Sequence, residues 1–101
     1  MNYTIYKIIN LINNKEYTGV HITEDVNDTY MGSGKLIKIA INKYGLSNFS
    51  KEILYNYNNK DDMFNKELEL VNEEYVKRRD TYNMKCGGSG GFCKNLGRTK
   101  F

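Results

Sequence analysis

The chain has 101 residues, a formal net charge of +3 and no proline, which points to one small domain with a modest core. The mild positive charge is compatible with a nucleic-acid partner without selecting one. No apolar run is long enough for a membrane span and no signal peptide opens the chain, so no membrane partner and a cytoplasmic location are expected.

Residues 3–10 and 16–22 are rich in aromatic and β-branched types and read as two strands. Asn13-Asn14 between them tolerates the backbone of a tight turn, so the two runs form a hairpin. A loop of even length centred there sets Asn10 opposite Tyr17, Ile8 opposite Gly19 and Tyr6 opposite His21. Directly opposed residues share one face of a sheet, as do alternate residues along a strand. Tyr6, Tyr17 and His21 are therefore expected on one surface, with Gly19 leaving space beside them. An odd-length loop would invert that parity. A strand tyrosine is usually a packing residue. The histidine on the same face is what makes this pair a candidate phosphodiester-cleaving site.

A polar loop over 23–29 leads into Tyr30-Met31-Gly32-Ser33-Gly34-Lys35. Ser33 is the expected N-cap of a helix over 35–44, and Gly45 its C-terminal cap. At about 100° per residue, Leu36, Ile37, Ala40, Ile41 and Tyr44 form its apolar side. Lys35, Lys38 and Asn42 fall on a polar stripe. Gly32 to Lys35 resembles part of a phosphate-binding loop, but the first glycine and the final Ser/Thr of that motif are missing. Backbone N–H groups at a helix start, together with Lys35, still suit a DNA phosphate. The plainer alternative is capping alone.

Residues 48–57 read as a third strand and 61–79 as a single second helix. Asp61 and Asp62 at its start, and Lys77, Arg78 and Arg79 at its end, suit the helix dipole. Its apolar stripe is Phe64, Leu68, Val71 and Tyr75, with Met63 and Leu70 at the margin. Glu67 falls inside the core-facing arc. A core-facing carboxylate is costly unless it is paired or metal-bound, so Glu67 either reaches a lysine at the rim or serves as a metal ligand facing the sheet.

Tyr82-Asn83-Met84 reads as a short strand end. The glycine-rich run over 87–91 reads as a linker, and 92–101 as a basic tail carrying Lys94 and Arg98. The expected division is a domain over 1–85 and a linker with tail over 86–101. Cys86 and Cys93 lack the spacing of a zinc site and read as free thiols.

The order of these features resembles the GIY-YIG nuclease catalytic domain. The residues that carry the likeness are Tyr3-Thr4-Ile5-Tyr6, Tyr17-Thr18-Gly19, Glu67 on the second helix and Tyr82-Asn83. Gly19-Val20-His21 with Tyr30 to Lys35 is similar to the phage-borne homing-endonuclease branch. The resemblance covers residues 1–85. It implies an α+β fold, a small three-stranded antiparallel sheet flanked by helices. It also implies hydrolysis of double-stranded DNA in a bacterial or phage-infected cell, with Mg²⁺ or Mn²⁺ and no small-molecule cofactor.

Carried over by residue, Tyr6 and Tyr17 would be the two motif tyrosines and Asn83 the late asparagine. Glu67 would be the metal-binding glutamate, with Glu69 its rival if the helix is shifted. Thr4 and Thr18 are minor departures. The arginine expected on the helix after the second motif is missing, since the first arginine is Arg78; His21 or Lys35 would supply that role. Lys38, Asn42, Lys94 and Arg98 would hold the DNA backbone. Either phenol is left open as the general base, with His21 as proton acceptor or hydrogen-bond partner. The alternative is a nucleic-acid-binding module of the same fold without cleavage. Oligomeric state is left open.

Overall fold

The computed structural model describes residues 1–84. The expected linker, tail and both cysteines, with Lys94 and Arg98, lie outside the described residues. Three strands, β1 (Asn2–Asn10), β2 (Glu16–Thr23) and β3 (Phe49–Tyr57), form one sheet. Its order is β2-β1-β3, and both pairings are antiparallel. Three helices accompany it: α1 (Lys35–Tyr44), α2 (Lys60–Leu70) and α3 (Glu73–Lys77). The α+β class and the three-stranded antiparallel sheet are therefore present.

The hairpin register differs from expectation by two residues. Tyr6 lies opposite Gly19, Ile8 opposite Tyr17 and Thr4 opposite His21. The reason is the loop. It holds four residues, Leu11 to Asn14, with the Asn10 N–H donating to the Lys15 carbonyl at 2.8 Å. Two asparagines fold it through their own side chains: Asn10 Oδ1 accepts from the Ile12 N–H, and Asn13 Oδ1 from the Lys15 N–H, each at 2.9 Å. Asn14 takes the left-handed backbone, φ 63°, which asparagine tolerates better than most residues. The loop is still even, so the facing parity is unchanged.

One face of the sheet packs on α1. Tyr6, Ile8, Ile37, Ala40, Phe49 and Tyr82 form a buried cluster there. The helix spans the expected residues, but its N-cap is Gly34, which has no side chain to cap with, rather than Ser33. Leu36, expected on the apolar side, is 38% exposed. Gly45 closes the helix at φ 90°, a value that favours glycine.

The opposite face packs on α2 and α3. Leu70 and Tyr75 line a cleft there with Lys7, Thr18 and Leu54, and Lys66 sits over the Tyr55 ring at 5.0 Å. The expected single helix over 61–79 is broken in two. Val71 ends α2, and Asn72 caps α3 by accepting from the Tyr75 N–H at 2.9 Å. This local side-chain bond competes with continuing the helix. The break lets Val71 bury fully, to 1% exposure, and Met63, expected at the margin, is fully buried. Each such side chain contributes about 1.5–3 kcal/mol through burial.

The last described segment docks on the free edge of β2. Glu16 bridges Thr81 in parallel, with the Tyr82 N–H donating to the Glu16 carbonyl at 2.8 Å. The Tyr82 hydroxyl accepts from buried Asn10 at 3.1 Å, pinning this segment to the end of β1.

Candidate active site

Alternation along β1 and β2 brings Tyr6, Tyr17 and His21 to the face that packs on α1. The Tyr6 and Tyr17 ring centroids are 6.2 Å apart, and Tyr30, from the loop before α1, meets Tyr6 edge-on at 5.9 Å. His21 does not lie opposite Tyr6. It stacks flat on Tyr30, with centroids 3.8 Å apart and planes 6° from parallel. Tyr30 therefore stands between the imidazole and Tyr6.

Glycines make this arrangement possible. A Cβ on Gly19 would stand 2.6 Å from the Tyr6 oxygen, and one on Gly34 would stand 2.8 Å from the Tyr17 ring. Gly32 has φ +95°, and a Cβ on it would stand 3.3 Å from the Tyr17 ring and 3.4 Å from the Tyr6 oxygen. The glycines of the Gly32-Ser33-Gly34 segment thus serve close packing on the phenols, a role distinct from the phosphate loop they resemble.

Electrostatics differ between the two phenols. Tyr6 is 1% exposed. Burial pushes its pKa far above the ordinary 10.0, and the charges and hydrogen bonds of Tyr17 and Tyr30 add to the rise. Tyr17 is half-buried. Its pKa is raised by burial first, then by Tyr30 and by Glu67, while hydrogen bonds with Ser33 and Tyr6 work the other way. Both rings are neutral phenols near neutral pH.

Glu67 is carried on α2, the helix on the far face of the sheet, and is half-buried. Its charge nevertheless acts on Tyr17 and raises the pKa of that phenol. Glu69, its rival, is exposed and pairs with Lys66 at 3.4 Å. Among the described residues no group of three or more His, Cys, Asp or Glu forms a metal cage. One carboxylate suits a hard cation that keeps water and phosphate ligands, and does not suit a structural zinc.

Lys35 opens α1 directly after Gly34 and is exposed, as are Lys38 and Asn42 on the same helix. Asn83 is elsewhere: its amide is paired with the backbone of Thr18, Nδ2 donating at 2.7 Å and Oδ1 accepting at 2.9 Å. It holds the strand that carries Tyr17. Arg78 is engaged by Asp80 at 2.7 Å and Glu16 at 3.4 Å, away from the phenols.

Three residues at the site were missed from sequence: Asp28, Tyr30 and Lys51. Asp28 Oδ2 lies 2.8 Å from His21 Nε2. Lys51 Nζ donates to the Tyr30 carbonyl at 2.6 Å and sits 5.1 Å from the centre of the Tyr6 ring. A signal for Lys51 existed in the pattern, since it alternates with Phe49 and Ile53 on one side of β3. Asp28 had none, being one acid in a polar loop.

The chain is similar to three proteins of Enterobacteria phage T4. It is 55% identical over 92 residues to "Putative endonuclease segB", covering 91% of this chain and 42% of that protein. It is 56% identical over 90 residues to "Putative endonuclease segD", covering 89% and 40%. It is 50% identical over 90 residues to "Endonuclease segA", again covering 89% and 40%. The chain thus spans less than half the length of these relatives. No protein-family profile matches it, and no solved structure does. Among the described residues no helix is long and apolar enough to cross a membrane.

Proposed function

We propose that this chain is the catalytic domain of a metal-dependent DNA endonuclease of the GIY-YIG type, from the phage homing branch, acting on double-stranded DNA. The observation that carries the reading is the convergence of Tyr6, Tyr17 and His21 on one face of the sheet with the Glu67 charge acting on Tyr17. The names of the phage relatives support its endonuclease part.

Glu67 would hold Mg²⁺ or Mn²⁺, with water and DNA phosphate as the other ligands. When bound, the ion supplies charge for the scissile phosphate and the leaving oxygen. Tyr17 is the more accessible phenol, and it presents its hydroxyl to the substrate while Tyr6 braces it from beneath. Because burial keeps both phenols protonated, Tyr17 acts as a hydrogen-bond donor that orients the phosphate and water, with Tyr6 as its neutral support. The proton from the attacking water goes to His21. Lys35, exposed at the start of α1 next to Gly34, offsets phosphate charge. Lys38 and Asn42 hold the backbone of the duplex, which gives salt-sensitive binding.

The test is plasmid nicking in Mg²⁺. The wild type nicks. Glu67→Ala loses about 100-fold or more, and Tyr17→Phe loses more than Tyr6→Phe. Cleavage by Glu67→Ala at the wild-type rate would remove the metal ligand from the scheme.

A DNA-binding module without cleavage is favoured by one observation: Arg78, the first arginine of the chain, is engaged by Asp80 and Glu16. It predicts DNA retention that EDTA leaves unchanged, and no nicking with any divalent metal.

A further inference from the structure

We propose that Asp28 is a positioning residue for His21: it holds the imidazole with the proton on Nε2 and leaves Nδ1 as the nitrogen that accepts a proton. The inference rests on the nuclease reading above for its consequence, and on geometry for its content. Asp28 Oδ2 is 2.8 Å from His21 Nε2 and also accepts from the Thr23 hydroxyl at 2.8 Å. Its other oxygen, Oδ1, accepts from the Tyr30 N–H at 3.2 Å and lies 3.8 Å from Lys51 Nζ. The carboxylate is thereby fixed from four directions. It has ionised acceptor oxygens only, so the nitrogen that faces it must carry the hydrogen.

The ring is fixed as well as its tautomer. Tyr30 covers one flat side of the imidazole, and Lys51 anchors Tyr30 through its carbonyl. The carboxylate stands within reach of two basic groups, His21 and Lys51. While His21 is neutral, Asp28 balances Lys51. When a water proton moves to Nδ1, the water becomes the attacking hydroxide and the imidazolium is stabilised by the carboxylate already bonded at Nε2. The proton stays on the ring, and Asp28 takes none.

The chain has one histidine, so ¹⁵N NMR of the labelled protein reads this ring without overlap. In wild type the neutral ring should show a protonated Nε2 and an unprotonated Nδ1. A ring protonated on Nδ1 overturns the proposal, and this measurement needs no variant to fold. Asp28→Ala should lose the tautomer preference, and Thr23→Val, which removes the other bond to Oδ2, should keep it. In the nicking assay, Asp28→Ala should lower kcat by at least about tenfold with KM unchanged, whereas Thr23→Val, which loosens the loop but leaves the carboxylate on the imidazole, should lose clearly less. Equal loss in both variants would make Asp28 a loop brace only and overturn the proposal. If wild type fails to nick DNA at all, the nuclease reading falls, while the tautomer is still judged by NMR.

Discussion

The side-chain amide of Asn83 pairs with both backbone groups of Thr18, as a neighbouring strand would. A residue 65 positions away thus continues the sheet at the β2 edge, one residue from Tyr17. The Thr81 hydroxyl also donates to Asn83 Oδ1 at 2.9 Å, which fixes which end of the amide points where.

Asn83→Ala should therefore cost stability. It leaves the N–H and C=O of buried Thr18 without their partner, and the loss expected is about 1–3 kcal/mol. Urea denaturation followed by far-UV circular dichroism reads it. An unchanged midpoint would mean that the docked segment adds nothing to the sheet edge.

Gly19→Ala should be harmful although alanine suits strands better. The added Cβ meets the Tyr6 hydroxyl at 2.6 Å and the Tyr17 ring at 3.0 Å, and overpacking of this kind costs about 1–3 kcal/mol. Nicking should fall together with stability, because relief of the clash moves Tyr6 or Tyr17. A fully active, equally stable Gly19→Ala protein would show that the phenols have room to spare.

Stability should fall as pH rises above 10. Tyr6, Tyr17 and Tyr75 all have raised pKa values in the fold, with burial the first cause in each. A raised folded pKa means that the folded state keeps a proton the unfolded chain gives up. The stabilisation is full below the unfolded value and is lost as pH climbs above it. Tyr6→Phe should flatten this alkaline decline, read as the slope of unfolding free energy against pH. The same slope in both proteins would place the burden on the other tyrosines.

Asp28 gives the opposite sign. Its bonds from His21, then Thr23, lower its pKa from the ordinary 3.8 to about 2. Its contribution is present above pH 3.8 and is lost as pH falls through about 2. A ¹³C carboxyl titration of His21→Ala should show Asp28 moving back toward the ordinary value. A titration unmoved by that substitution would mean that Thr23 and the Tyr30 N–H suffice to hold the carboxylate charged.

Two parts of this protein were legible in its residues because they follow from short periods. A strand repeats every two residues, so any even loop puts Tyr6, Tyr17 and His21 on one face, and a register error of two leaves that result intact. The helix over 35–44 follows equally from its apolar spacing and from Gly45, whose backbone few other residues adopt. The rest depended on contacts between distant segments. Whether 61–79 stays one helix is decided by the fit of Val71 into the core and by the competing cap at Asn72. The neighbours of His21 are decided by where the loop carrying Asp28 and Tyr30 folds back, and by Lys51 arriving on β3. Local pattern says which way a side chain faces; only the packed chain says what it meets there, because burial and partnership are properties of pairs.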